Sequence, residues 1–298
     1  MTARPFVKWV GGKTQLLEKI RSKYPENIEK YCEPFVGGGA VLFDVLSTYH
    51  PEEVLINDIN PELINTYRHI KDSTEELIAI LKEYENEYYR VSDKKELYLN
   101  QRERFNSLIQ NKVDSVEKAA LFIMLNKTCF NGLYRVNARG LFNVPFNNAT
   151  RPTICDEENI RSCGALLKDV QITLGDYSLT GSFIDERTFV YVDPPYRPLT
   201  VSSYFTSYNE TGFGDKEQIE LGRFLSEMSA KGASLLISNS DPKNVNENDE
   251  FFDDLYRDFI IDRVKASRMI NSRASGRGPV SELLINNSYL KEDEKNGE

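Results

Sequence analysis

Five short segments of this chain are apolar, rich in β-branched and aromatic residues, and cut off by polar or proline-containing punctuation: "KYCEPF", "EVLIND", "VQITLGD", "RTFVYVD" and "GASLLISNSD". Runs of that length and composition read as buried strands. Helical patterns lie between them; Leu221, Phe224, Leu225 and Met228 fall at i, i+3, i+4 and i+7 and make one apolar stripe. Strands alternating with helices predict an α/β fold, with an open, mostly parallel sheet covered on both faces. Two later segments, "DFIIDRVKA" and "SELLINNSY", predict an antiparallel pair at one edge. In such sheets ligands bind beyond the carboxyl ends of the strands, so the strand ends are the places to look for chemistry.

The alternation breaks between about residues 70 and 159. "TEELIAILKEYENEYYRV", "KKELYLNQRERFNSLI" and "VEKAALFIMLNKT" predict three successive helices. "NGLYRVNARGLFNVPF" follows, where Asn131-Gly132 and Arg139-Gly140 punctuate short alternating runs as in a hairpin. The reading is a sheet domain formed by 1–69 and 160–290, an inserted subdomain over 70–159, and a disordered tail at 291–298. A length of 298 residues, 40% of them hydrophobic, suffices for that arrangement.

The net charge of −9 argues against a polyanionic partner until its distribution is considered. Lys118, Lys127, Arg135, Arg139 and Arg151 follow one another with no acid between Lys118 and Thr153. Arg263, Lys265, Arg268, Arg273 and Arg277 form a second such block, and Arg4, Lys8 and Lys13 stand unopposed near the start. Basic stretches in an acidic chain suggest a local anionic-ligand surface, although charge blocks are also often no more than solvated faces. Four cysteines without CxxC spacing fit free thiols in a reducing compartment, and two histidines are too few for a His-based metal centre. No apolar run approaches the roughly 18 residues of a spanning helix, so the expectation is a cytoplasmic protein needing neither membrane nor metal.

Several strand ends carry candidate chemistry. In "FVKWVGGKTQLL", Gly12-Lys13-Thr14 resembles the end of a P-loop, but Val7 stands where that motif needs glycine. In "EPFVGGGAVLF" a strand meets three glycines and then a helical pattern, a loop through which backbone N–H groups approach a cofactor closely. Asp58 closes the next strand nineteen residues after Gly39, where an acid accepts hydrogen bonds from ribose hydroxyls; a helix-cap or turn role is the competing reading. Asp176 and Tyr177 end a third strand and could cover an adenine ring. The fourth ends in "FVYVDPPYRP". Pro194 and Pro195 have no N–H to continue a ladder. They leave a stiff lip bearing the Asp193 carboxylate, the Pro194 carbonyl and the Tyr196 ring. Two acceptors and a stacking face are the parts needed to hold an exocyclic amino group.

Trp9-Val-Gly-Gly-Lys13, Pro34-Phe-Val-Gly-Gly-Gly39, Asp58 and Asp193-Pro-Pro-Tyr196 occur in the order seen in Dam-type DNA adenine-N6 methyltransferases, and the chain resembles that family over nearly its whole length. "CFNGLYRVNARGLFNVPF" is similar to the family's DNA-contacting hairpin. The resemblance implies a Rossmann-like methyltransferase sheet and a target-recognition subdomain in the 70–159 insertion. It also implies methyl transfer from S-adenosylmethionine to adenine N6 in double-stranded DNA, within GATC. Trp9, Lys13, Phe35, Gly37, Gly38, Gly39, Asp58, Asp176, Tyr177 and Asp193 would bind the cofactor; Asp193, Pro194 and Tyr196 would carry catalysis. Lys8, Phe130, Asn131, Arg135 and Arg139 would meet DNA, with Arg135 reading a guanine edge and Phe130 wedging near the displaced base. A cognate restriction endonuclease is a partner the resemblance leaves open. Amino methyltransferases acting on cytosine N4, RNA or glutamine side chains share the proline–aromatic logic, and a catalytically silent DNA-binding protein on this scaffold is a reading from another class. Asp rather than Asn before the prolines, with the basic hairpin, favours adenine in DNA.

Overall fold

A computed structural model describes residues 3–197, 213–267 and 279–288. Pro198, the basic residues Arg268, Arg273 and Arg277, and the tail at 291–298 lie outside the described residues. All seven strands expected from the sequence are present: β1 (Lys30–Glu33), β2 (Glu53–Asp58), β3 (Gln171–Leu174), β4 (Thr188–Val192), β5 (Ser234–Ser240), β6 (Ile260–Ser267) and β7 (Pro279–Asn286). Their order is β3-β2-β1-β4-β5-β7-β6. β4 runs parallel to β1 and β5, and β7 runs antiparallel to both β5 and β6. The reversed strand therefore lies one place in from the edge, with β6 outermost. Strand order reverses between β1 and β4, the switch point at which a doubly wound sheet opens a crevice. The fold is a Rossmann-like α/β sheet, mostly parallel with an antiparallel edge, as the sequence predicts.

The described helices are α1 (Leu17–Arg21), α2 (Ala40–Thr48), α3 (Pro61–Asp72), α4 (Thr74–Arg90), α5 (Lys94–Gln110), α6 (Val116–Thr128), α7 (Glu157–Leu167), α8 (Asp215–Ala230) and α9 (Phe251–Leu255). None of them is long and apolar enough to cross a membrane. The chain forms two compact units: Met1–Lys13 with Val36–His50 and Ile56–Asp176, and Thr14–Phe35 with Pro51–Leu55 and Tyr177–Glu298. The first takes in more than residues 70–159, since the glycine loop and α3 pack with the helices that follow.

In the first unit, caps set the helix starts. Asn60 accepts from the Glu62 and Leu63 N–H groups at 3.0 Å each, with Pro61 in the first turn, and Asp93 and Ser115 cap α5 and α6. α6 is buried on nearly every side, as its mainly apolar sequence requires. Lys118, the first cation of the basic stretch, is part of that interior: it pairs with buried Glu62 at 3.0 Å and does not contribute to an anion-binding face. The expected hairpin exists as a looped pair held by isolated bridges, Cys129 to Phe146 and Val136 to Phe142, not by a regular ladder. Side chains of α5 complete it: Tyr98 donates to the Val144 carbonyl at 2.7 Å, and Asn106 binds both the N–H and the carbonyl of Phe142.

The core of the second unit is built from Val190 and Val192 of β4, Leu235 and Ile237 of β5, and Leu283 and Ile285 of β7, against Leu221, Leu225 and Met228 of α8. Phe224, the fourth residue of the α8 stripe, packs partly buried beside them and meets Tyr177 edge-on at 5.3 Å.

Candidate active site

In the first unit, the ends of β2 and β3 and the glycine loop are tied to one another. Asp58 accepts the Gly37 N–H at 3.0 Å on one carboxylate oxygen and the Asn60 N–H at 2.9 Å on the other. The Asp58 carbonyl takes the Gly175 N–H, and Asn57 donates to the Gly175 carbonyl, which brings Asp176 to the exposed end of β3. Burial pushes the Asp58 carboxyl above its usual range, while the backbone N–H bonds oppose the shift. The Ile59 N–H also stabilises this half-buried carboxylate, whose two oxygens, with about four lone pairs between them, keep room for a further donor. Asp58 thus serves as a turn acid and remains a candidate acceptor at once. Ile59, 74% exposed, and Leu174, 41% exposed, flank it with apolar surface. Acceptor capacity beside open apolar surface fits the diol and ring of a nucleoside.

The three glycines are needed by the protein's own rings. Gly37 and Gly39 have φ of +48° and +73°, values that suit glycine. A Cβ on Gly37 would lie 2.8 Å from the Trp9 ring, and one on Gly38 3.0 Å from the Trp9 Cβ. A Cβ on Gly39 would collide with the Tyr67 hydroxyl, which itself donates to the Gly37 carbonyl at 3.0 Å. Trp9 is half-buried, stacked on Tyr134 and tilted against Phe122. Lys13 is buried, and its ammonium donates to the Gly11 carbonyl at 2.7 Å.

The residues expected on DNA also lie in this unit. Buried Asn126 accepts the Lys8 N–H and donates to the Lys8 and Gly132 carbonyls, and the Lys8 stem fills the space where Gly132 would carry a Cβ. Asn131 and Gly132 both have positive φ, 55° and 65°, so the turn displays Phe130, 52% exposed. Arg135 is exposed but not idle: its Nε donates to Asn143 Oδ1 at 2.8 Å and Nη2 to the Asn143 carbonyl at 3.3 Å. Arg139 occupies the exposed tip, where Asn137 Oδ1 accepts the Arg139 and Leu141 N–H groups. Arg151 lies over the Tyr89 ring at 5.1 Å, and burial lowers the pKa of Lys127.

In the second unit, β4 is buried throughout and delivers its carboxyl end as the lip. Asp193 is half-buried, Pro194 buried and Pro195 exposed. The Tyr196 hydroxyl donates to Glu282 of β7 at 2.9 Å. Burial, with the Asp193 and Glu282 charges adding, holds the Tyr196 phenol well above its ordinary pKa. It therefore stays protonated and keeps that bond. Phe35, just beyond the adjacent β1, packs on Tyr177 at 5.4 Å and edge-on against Phe213 at 6.0 Å. The carboxyl ends of β1 and β4 at the switch point are thus lined by Phe35, Tyr177, Asp193 and Tyr196.

Sequence reasoning missed the residues that hold these features: Tyr67, Arg197, Gln218, Asn239 and Glu282. A signal existed for two of them. Gln218 continues the α8 stripe of Leu221 and Leu225 with a polar side chain, and Asn239 stands in the polar end of β5, just past the apolar run; both are completely buried. Buried amides of that kind are there to bind something.

The second unit carries a half-buried aspartate on a proline-stiffened lip at the switch point, and the first carries a nucleoside-compatible strand end beside a glycine loop; each feature fits the class of amino-group methyltransferases. Residues 9–270 match the family model of D12 class N6 adenine-specific DNA methyltransferases, and the chain belongs to that family. It is 44% identical over 295 residues to the type II methyltransferase M.MjaIII of Methanocaldococcus jannaschii, covering 96% of this chain and 100% of that one. It is 38% identical to M1.LlaDCHI of Lactococcus lactis subsp. cremoris, with 95% of each covered, and 35% identical to the DNA adenine methylase of Vibrio cholerae, covering 94% of this chain and 95% of that one. The protein is an adenine-specific DNA methyltransferase.

Proposed function

We propose that this enzyme, acting in the cytoplasm, methylates adenine N6 in double-stranded DNA within GATC, with S-adenosylmethionine as donor and with the target base flipped out of the duplex. The observation that carries the reading is the lip itself: Asp193 and Tyr196 at the carboxyl end of β4, with the tyrosine pinned by Glu282. The donor supplies an electrophilic methyl group when bound. Asp58 is the acceptor for its ribose. Trp9, Lys13, Phe35, the loop Gly37 to Gly39, Asp176 and Tyr177 complete the cofactor's surroundings.

The adenine amino nitrogen is a poor nucleophile because its lone pair is delocalised into the ring. Asp193 and the Pro194 carbonyl accept its two hydrogens and favour a more pyramidal nitrogen whose lone pair is free to attack. Tyr196 stacks on the base and holds it in the attack geometry. Positioning of this kind makes the displacement effectively unimolecular, and Asp193 need not remove a proton beforehand. A base inside the duplex cannot reach such a lip, so extrusion is required. Residues 70–159 act as the target-recognition subdomain, with Lys8, Phe130, Asn131, Arg135 and Arg139 on DNA.

The relatives' names bear on the setting. Two of the relatives above are named type II methyltransferases, which supports a cognate restriction endonuclease acting at the same site. Sequencing of methylated adenines after expression in a host without adenine methylation reads out the recognised site. In a labelled-methyl transfer assay, Asp193→Ala should lose nearly all transfer to GATC-containing DNA while remaining folded. Turnover near that of the wild type removes Asp193 from the mechanism.

A further inference from the structure

The two prolines stiffen the lip, but they do not fix its posture. Behind it lies a chain of hydrogen bonds that runs through two fully buried amides. The Gln218 Nε2 group donates to the Pro195 carbonyl at 2.9 Å. Gln218 Oε1 accepts from Asn239 Nδ2 at 3.2 Å, and Asn239 Oδ1 accepts the Ser240 N–H at 2.9 Å and the Arg197 N–H at 3.4 Å. Ser240 Oγ returns to the Arg197 carbonyl at 3.3 Å. Arg197 completes the bracket: its guanidinium takes Asp215 with Nε and Nη2, takes Asp249 with Nη1, and lies over the Phe251 ring at 4.3 Å. Gln218 and Asn239 have no exposed surface. Two fully buried amides destabilise the fold unless they are bonded, and here three of their bonds run to one another and to backbone groups two and four residues past Asp193.

We infer that Gln218 is a positioning residue for methyl transfer: through Asn239 and the Pro195 carbonyl it holds the lip so that Asp193 and the Pro194 carbonyl face the amino group. The inference rests on the reading of the lip given under the proposed function. Gln218 touches neither base nor donor, and acts only through the backbone that carries Asp193. A Pro195 carbonyl left without its donor frees the Pro195–Tyr196 peptide to rotate and loosens the lip that carries Asp193, and misplacement of about an ångström at a reacting centre can cost roughly a hundredfold in rate.

The test uses the intact chain with Gln218→Met, Gln218→Glu and Asp193→Ala. Gln218→Met keeps the volume and removes both bonds. Its kcat should fall roughly ten- to a hundredfold, with KM for DNA within about twofold of the wild type. Hydrogen exchange at Tyr196 and Arg197 should accelerate while exchange along β4 stays slow. Gln218→Glu supplies a signature that packing alone does not. In its neutral form the new carboxyl donates to the Pro195 carbonyl and accepts from Asn239, and in its charged form it cannot donate. Buried carboxyls titrate well above their usual range, so the kcat of Gln218→Glu relative to the wild type should rise as pH falls from about 8 to about 6, while that of Gln218→Met stays flat. This profile also serves if Gln218→Met does not fold. Wild-type kcat in Gln218→Met, or a flat ratio for Gln218→Glu, overturns the positioning role. Full transfer by Asp193→Ala would instead sink the lip reading itself, so the two failures are distinguishable.

Discussion

Gly39 and Gly140 share a backbone conformation, with φ of +73° and +74°, but not an environment. A Cβ on Gly39 would meet the Tyr67 hydroxyl, whereas one on Gly140 would meet nothing within 4 Å. A non-glycine residue in the left-handed region costs about 1–3 kcal/mol. Gly140→Ala should cost no more than that by urea unfolding, and Gly39→Ala clearly more, the difference being the price of the collision. Equal unfolding midpoints would mean that Tyr67 moves aside freely. A second residue-scale effect depends on pH. Asp185 accepts from the Lys30 ammonium at 2.9 Å, and that bond, with the Thr188 hydroxyl and the Arg187 N–H, lowers the Asp185 carboxyl to about 2 from an ordinary 3.8. A depressed carboxylate stabilises the fold above its unfolded pKa, and the contribution fades as pH falls through the folded value. The stability advantage of the wild type over Asp185→Asn should therefore be full above about pH 4 and shrink toward pH 2, as followed by thermal unfolding across that window.

Among the elements, the strands were the most legible. Buried parallel strands must be apolar and β-branched along their whole length, so "TFVYV" and "SLLIS" declare themselves, and their ends mark the ligand edge. The hairpin at 129–147 was legible only in its turns. Asn131, Gly132 and Gly140 adopt the positive φ that their residue types predict. The ladder between them is replaced by Asn106 and Tyr98 of α5, partners that no local pattern reveals. Asn106→Ala leaves both Phe142 backbone groups without a partner and should cost about 1–3 kcal/mol. Limited proteolysis should then cut at 134–146 faster than in the wild type, and an unchanged cleavage rate would show that the bridges suffice. Buried amides such as Gln218 were illegible for the opposite reason: a lone polar residue in an apolar stripe announces that it is bonded, but not to what.

At the scale of the whole molecule, a chain of net charge −9 acts on a polyanion. The basic stretch that suggested this is a mixture. Lys118 is spent on Glu62 inside the first unit, while Arg135 and Arg139 stand exposed on the hairpin. Those two should differ in kind. Arg139→Ala should weaken binding on all sequences alike and lower the salt slope by about one. Arg135→Ala should relax discrimination at one base pair by about 1–3 kcal/mol. Binding titrations on cognate and single-substituted duplexes at two salt concentrations separate the outcomes, and a uniform loss for Arg135→Ala would make it a phosphate anchor.

β7 is the last strand in chain order among the described residues, yet it is inserted between β5 and β6. During synthesis, β6 leaves the ribosome with no neighbour to pair with, and β5 waits with one edge open. Only when β7 threads between them does the sheet close, and the same strand carries Glu282 to the Tyr196 hydroxyl. The Tyr196 hydroxyl thus lacks this acceptor on every nascent chain that stops short of β7. A chain released before β7 would keep the Gln218–Asn239 bracket behind the lip but lack the Glu282 acceptor in front of it. The last described strand thus joins sheet closure to the bond on Tyr196.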